Sequence, residues 1–377
     1  MKILFVNLPY HGHVVPTIGL VQELIRQGCE VTYLLPFDWE YYVRESGAEF
    51  YGYKNHKQLS EQIKHAYRAA EEIIHQFDLV VYEQFFFLGK HLAEQYHKPV
   101  VRIFTAPATN PALMQEFIQS GPLAIFQHKW IAKAFTKDIV KKLKIENGWK
   151  TESWLDEILY NPPTLNLVYT LRDYQPYEAE FPDTQYKFLG PSIYERKSMA
   201  FDYQKGTRPL VYISLGTVVK GAKRFYQACI DAFRDAPVDV IISVGNHFNH
   251  AKLQSVPSNI RLYHTVPQTE VLQMADLFVT HGGMNGVSEA LVSSTPMVVI
   301  PFASDQHVNA KMVETLGVGR LLKHTNINRQ TLKNMAMSVL ADSTIKQNLI
   351  NIQKQIEAAP GNRGGAEWIV KYYEQCQ

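Results

Sequence analysis

This sequence has almost no charge of one sign to spare. Its 38 lysines and arginines nearly cancel 36 aspartates and glutamates, leaving +2 over 377 residues. A balance so close to zero gives no electrostatic case for nucleic acid as a bulk partner. Cysteine is scarce too. Cys29, Cys229 and Cys376 are far apart and odd in number, which excludes a disulfide framework or a paired metal spacing and fits a reducing cytoplasm. Long apolar runs are missing: the opening run Ile3-Leu4-Phe5-Val6 is far short of the roughly 20 residues that a spanning helix needs. It reads as a strand, not as a signal segment.

What is present is rhythm. Short β-like runs alternate with helical segments, and the expected strands are Lys2–Leu8, Glu30–Leu35, Ala48–Tyr53, Leu79–Tyr82, Val100–Phe104 and Leu165–Tyr169. A first helix is expected from about Pro16 or Thr17, since proline suits a first helical position, with Gly28 as its stop. The strand that follows so closely makes a β-α-β unit, which implies parallel strands and a right-handed crossover. After "GPSIYERKSMAFDYQKGTRP" the alternation restarts, with strands expected at Leu210–Ser214, Val238–Ser243, Ile260–His264, Leu277–Thr280, Met297–Ile300 and Gly319–Leu322. The fold class is therefore α/β, with two doubly wound domains facing a cleft. "HKWIAKAFTKDIVKKLKI" reads as an amphipathic basic helix whose lysines form a solvated face; contact with a membrane surface is the less favoured alternative.

Two stretches carry candidate chemistry. In "FVTHGGMNGVSEALVSSTPMVVIPFASDQHVNA" a strand runs through His281-Gly282-Gly283 into a helix. Such a junction presents backbone N–H groups and a helix N-terminus to an anion such as a phosphate. His281 adds a hydrogen bond or a positive charge there, and Glu289 is placed to accept from ribose hydroxyls. The loop carries neither a dinucleotide G-x-G-x-x-G nor a P-loop. The second stretch, "LPYHGHVVPTIGL", holds His11 and His13 after the first strand, where they would act as metal ligands, as structural groups or as a base. Metal binding, as in amidohydrolases that resemble this H-x-H placement, lacks a second ligand cluster of comparable spacing.

Taken together, "HTVPQTEVLQMADLFVTHGGMNGVSEAL…TPMVVIPFASDQHVNA", with "VYISLGT" before it and "HGH" at the first strand, strongly resembles the donor-binding signature of UDP-glycosyltransferases, in the macrolide-glycosyltransferase branch. The resemblance spans essentially the whole chain and implies a GT-B fold of two Rossmann-like domains. It divides the chain into an acceptor-binding domain at 1–195, a linker at 196–207, a nucleotide-sugar-binding domain at 208–358 and a final helix at 359–377 packing back on the first domain. Position by position, Val266 and Gln268 would meet the base, and His281 with the Gly282–Gly286 loop (Gly283, Asn285 and Gly286 within it) the diphosphate. Glu289 would take the ribose, Asp305 and Gln306 the sugar, and Ser214 and Thr217 would line the diphosphate side. Thr265 stands where many relatives carry a tryptophan, and Gly286 where plant relatives often carry serine, so Ser288 or backbone N–H groups must supply that phosphate contact.

The same resemblance makes His13 the general base, with His11 structural. A neutral imidazole suits removal of a hydroxyl proton near neutral pH. The carboxylate that would orient it is usually an aspartate; here the matching residue is Glu83, one methylene longer, and Asp78 lies at the far end of that strand. Phe85–Phe87 line an apolar acceptor pocket or pack in the core. No Asp-x-Asp occurs, which fits a metal-independent, inverting transfer without a cofactor. The implied partners are a UDP-sugar donor, UDP-glucose by default, and a small hydroxyl acceptor: a macrolide, a phenol, another secondary metabolite or a lipid. A monomer or weak homodimer is expected. A nucleotide-sugar epimerase on the same fold and a non-catalytic accessory protein are the alternatives.

Overall fold

The computed structural model describes residues 1–119, 121–145, 149–193, 201–216, 223–246, 248, 253, 255–303 and 305–377. The chain divides into two units, Met1–Tyr194 with Ala359–Gln377, and Glu195–Ala358. Each is a parallel sheet with helices on both faces, a Rossmann-like arrangement.

The first unit runs β1 (Lys2–Val6), α1 (His11–Arg26), β2 (Glu30–Pro36), α2 (Glu40–Glu45), β3 (Glu49–Tyr53), α3 (Leu59–Ile73) and β4 (Leu79–Glu83). It continues through α4 (Gly89–Gln95), β5 (Val100–Phe104), α5 (Pro111–Phe117), α6 (Lys129–Leu143), α7 (Trp154–Tyr160), β6 (Leu165–Val168) and β7 (Tyr186–Phe188). The strand order is β3-β2-β1-β4-β5-β6-β7. Successive side chains on a strand point to opposite faces, so Ile3 and Phe5 enter one core while Leu4 and Val6 enter the other. That is why the central strands read as near-continuous apolar runs and do not alternate regularly with polar residues.

The second unit contains β8 (Leu210–Ser214), α8 (Lys223–Phe233), β9 (Asp239–Ser243), β10 (Ile260–Tyr263), α9 (Gln268–Met274), β11 (Leu277–Thr280) and α10 (Met284–Val292). It closes with β12 (Met297–Val299), α11 (Asp305–Thr315), β13 (Gly319–Leu321), α12 (Arg329–Ala341) and α13 (Ser343–Ala358). Its order is β10-β9-β8-β11-β12-β13.

The structure departs from the sequence expectations in three places. The first helix starts at His11, not at Pro16 or Thr17, so Pro16 lies in its second turn and "HGH" opens the helix. β7 was not expected; its three residues are too few to show a period. Within the expected linker at 196–207, residues 196–200 lie outside the described residues, but Phe201 and Tyr203 are packed, Phe201 on Tyr263 at 5.3 Å and Tyr203 beneath Arg261 at 4.9 Å.

The last helix, α14 (Gly361–Gln375), belongs to the first unit and lies on α1. A Cβ on Gly365 would stand 3.1 Å from Leu189 and 3.2 Å from Leu20, so only glycine allows this approach without displacement. Ala366 and Ile369 are fully buried on the same helix. Ile369→Ala is expected to cost the unit about 2–5 kcal/mol, the usual loss for a large-to-small core change, read as a shift in the urea unfolding midpoint.

Candidate active site

In the first unit, β1 has β2 on one side and β4 on the other. The chain reverses its direction of growth there, and the loops leaving β1 and β4 part, which in sheets of this kind opens the ligand crevice. His13 comes from the first turn after β1 and Glu83 is the last residue of β4. His13 Nδ1 lies 3.0 Å from Glu83 Oε1. Glu83 is fully buried, whereas the His13 side chain is 24% exposed. With Glu83 as a carboxylate, which only accepts, Nδ1 carries the proton and Nε2 keeps its lone pair.

The carboxylate is fixed from other directions as well. The Phe85 backbone N–H donates to its Oε2 at 3.0 Å. Thr105, just past β5 and absent from the sequence expectations, places its hydroxyl 3.3 Å from His13 Nδ1 and 3.5 Å from Glu83 Oε1. The added methylene of Glu83 therefore does not keep it from the imidazole. The Phe85 ring meets that of His13 edge-on at 4.9 Å, while Phe86 and Phe87 are core residues. The His11 ring packs on Trp39 and Tyr42, at 4.7 and 5.7 Å.

A second layer holds the main chain of His13. Asn7 donates to the His13 carbonyl at 2.8 Å and to the Tyr33 hydroxyl at 3.1 Å, and accepts from the Leu8 N–H. Thr17 bonds the same hydroxyl at 2.7 Å. Asn7, Thr17 and Tyr33 are all fully buried. Burial raises the Tyr33 phenol further above its ordinary range, so it remains a protonated hydroxyl. Nothing local in the sequence marks Asn7, Tyr33 or Thr105, because each acts on a residue brought near by the sheet.

In the second unit the strand order reverses at β8, between β9 and β11. The loop after β11 carries His281, Gly282 and Gly283 into α10. Gly282 has φ +85°, and a Cβ there would meet Val299 at 2.6 Å. Asn309 donates to its carbonyl at 2.9 Å, and its N–H reaches Thr280 Oγ1 at 3.3 Å. The His281 ring occupies the space that side chains on Gly216 and Gly283 would need, at 2.7 and 2.6 Å. Its Nδ1 is buried and has no hydrogen-bond partner among the described residues.

Burial lowers the His281 pKa from 6.5 to about 4. Of the two expected roles, with no anion at the loop the imidazole is neutral near pH 7 and offers a hydrogen bond. Gln268 opens α9 and is not a loop residue; its amide donates to Glu289 and its oxygen accepts from the Tyr212 hydroxyl at 3.0 Å. Val266, Asn285 and Asp305 are half-buried, and Thr265 is exposed. Gln306 is buried and its oxygen is held by the N–H groups of Phe302 and Ala303, so that oxygen is committed to the loop. Ser214 accepts from the Gly216 N–H at 3.3 Å. Ser288 is buried within α10, and a Cβ on Gly286 would make only ordinary contacts. Thr217 lies outside the described residues.

The family model described as UDP-glucoronosyl and UDP-glucosyl transferase matches residues 194–360. The NDP-glycosyltransferase YjiC of Bacillus subtilis is 32% identical, over 96% of this chain and 94% of that protein. The oleandomycin glycosyltransferase of Streptomyces antibioticus is 25% identical over 96% and 89%. Among solved structures, CalG4, the calicheamicin glycosyltransferase, superposes with a TM-score of 0.82, at 27% identity over 98% of each chain.

The neutral state of His281 has a thermodynamic signature. An unfolded histidine binds its proton near pH 6.5 and the folded one only near pH 4, so the unfolded state gains protons first as pH falls. Stability is therefore lost between pH 6.5 and about 4. Urea titrations at several pH values across this window should show a shallower loss for His281→Gln than for the parent chain; equal slopes would contradict the assignment.

Proposed function

The chain belongs to the UDP-glycosyltransferase family, on the macrolide-glycosyltransferase-like branch, and we propose that it moves glucose from UDP-glucose to a hydroxyl of a small, largely apolar acceptor. The pairing of His13 with buried Glu83 is the observation that carries this reading. His13 Nε2 takes the acceptor proton while the acceptor oxygen attacks the anomeric carbon and the bond to the diphosphate breaks. Attack from the face opposite the leaving group inverts that carbon. Glu83 and Thr105 keep the imidazole in the tautomer that accepts at Nε2, and the carboxylate stabilises the imidazolium that forms.

The negative charge on the departing diphosphate falls to the second unit. There α10 opens with backbone N–H groups that its own ladder does not use, and the positive end of its dipole favours an anion. Neutral His281 adds a hydrogen bond, and Glu289, steadied by Gln268, takes the ribose hydroxyls. With Ser288 buried, backbone N–H groups are the phosphate donors at Gly286. Asp305 and the amide nitrogen of Gln306 face the sugar in this assignment. No divalent ion is required by it, and the setting is the cytoplasm. Among the described residues no helix is long and apolar enough to cross a membrane.

The Phe85 ring against His13 favours acceptors with a flat apolar body next to the reacting hydroxyl. Phenols satisfy this most directly, and the apolar body of a macrolide can pack on the same ring face; similar proteins are named as oleandomycin and calicheamicin glycosyltransferases. The experiment is a panel of UDP- and dTDP-sugars crossed with phenolic, macrolide and lipid acceptors, read by product mass. A mass gain of one hexose is expected; no glycoside from any pair would end the proposal.

His13→Ala should lower transfer by about 10²–10⁴, the worth of a positioned base, while UDP affinity stays unchanged. Glu83→Gln should lower kcat with donor KM unaltered and change the pH–rate profile. A profile superimposable on that of the parent enzyme would remove Glu83 from the proton relay.

A further inference from the structure

The geometry points to α6 as a docking face for an anionic lipid bilayer. Lys129, Lys133, Lys137 and Lys141 follow one another at i, i+4 spacing, and all four are exposed. On a helix of 3.6 residues per turn they spread over about 120° of circumference and about 18 Å of axis. Trp130 points into the same arc, between the directions of Lys137 and Lys141, and is 70% exposed; Ile125, in the turn before the helix, is 54% exposed. The adjoining flank of α6, with Ala132, Thr136 and Ile139, is buried against its own unit.

The charges of this row are mostly unspent. Lys133 pairs with Glu152 at 2.5 Å, and the acidic residue of the helix itself, Asp138, is taken up by Lys142 at 2.9 Å. Lys129, Lys137 and Lys141 make no ion pair among the described residues. A lysine near an anionic membrane surface is worth about fivefold in partitioning, and an exposed tryptophan settles at headgroup depth, where its ring is half in water and half in hydrocarbon. Lysines alone would suit any polyanion. The neighbouring Trp130 and Ile125 favour a surface with an apolar layer beneath the charge, which a nucleic acid does not have.

Behind this face an aromatic series leads inward. Phe135 of α6 meets Phe126 at 5.1 Å, Phe126 meets Trp154 at 5.2 Å, Trp154 lies 6.5 Å from Phe85, and Phe85 touches His13 at 4.9 Å. On the proposed activity, an acceptor dissolved in the bilayer would thus be delivered on the side of the unit from which His13 is reached through apolar groups. The docking itself does not depend on that activity.

Co-sedimentation of the full chain with vesicles separates the two. Phosphatidylcholine vesicles should leave it in solution, and vesicles with about one-third phosphatidylglycerol should pellet it, less so as salt is added. Lys137→Glu with Lys141→Glu should weaken pelleting at least about tenfold while leaving the unfolding midpoint and the transfer of sugar to a water-soluble acceptor unchanged. Trp130→Phe should remove most of the vesicle-induced blue shift in tryptophan emission. No pelleting with the anionic vesicles, equal pelleting of the charge-reversed variant, or retention on RNA without vesicle binding would each overturn the inference.

Discussion

The reversal of strand order at the centre of each sheet is the constraint on which the rest of the structure depends. β1 lies between β2 and β4, and β8 lies between β9 and β11. Right-handed crossovers send the helices of the two halves to opposite faces, so the loops leaving the central pair diverge. Residues remote in sequence meet above that gap. In one unit they are His13 and Glu83; in the other they are Gly216, just past β8, and His281, just past β11. One topological rule therefore builds the candidate site of each unit.

The two units make their sites rigid by different means. The first turn of α1 is weak by its own sequence: Gly12 lacks a side chain, and Pro16 has no N–H to give the Gly12 carbonyl. Asn7, Tyr33 and Thr17 compensate from below. Buried polar groups are costly when unpaired, but here they bond one another and the His13 carbonyl. The second unit relies on exclusion. The His281 ring fits because Gly216 and Gly283 have no Cβ, and the same burial that fixes it removes its charge.

Legibility in the sequence followed range. Strands buried on both faces are short apolar runs, from Ile3-Leu4-Phe5-Val6 to Leu277-Phe278-Val279, and twelve of the thirteen strands among the described residues overlap an expected one. β7 has three residues and a tyrosine, a lysine and a phenylalanine, which show no such run. The start of α1 was misplaced because the preference of proline for a first turn is local, whereas the helix is extended backwards by bonds from His13 and Val14 to the Tyr10 carbonyl. The candidate site residues were marked by spacing and family likeness. Thr105, Asn7 and Tyr33 were not, since their contacts exist only after β1, β2 and β5 are side by side. The neutrality of His281 is likewise a property of burial, which no residue pattern records.

The exchange of aspartate for glutamate at position 83 shows how such contacts override a local rule. A longer side chain has another rotatable bond, and a free glutamate would spread its carboxylate over several positions at an entropic cost. Here the backbone bends immediately after β4, and the Phe85 N–H captures Oε2. Oε1 is then directed to His13 and Thr105. The place of the carboxylate is thus set by the loop that follows the strand, not by the length of the side chain. Its full burial strengthens each of those bonds by keeping water out. A shorter aspartate at this position would lose the Phe85 contact or the His13 contact unless the loop moved, so residue 83 and the 83–85 bend must be read as one device.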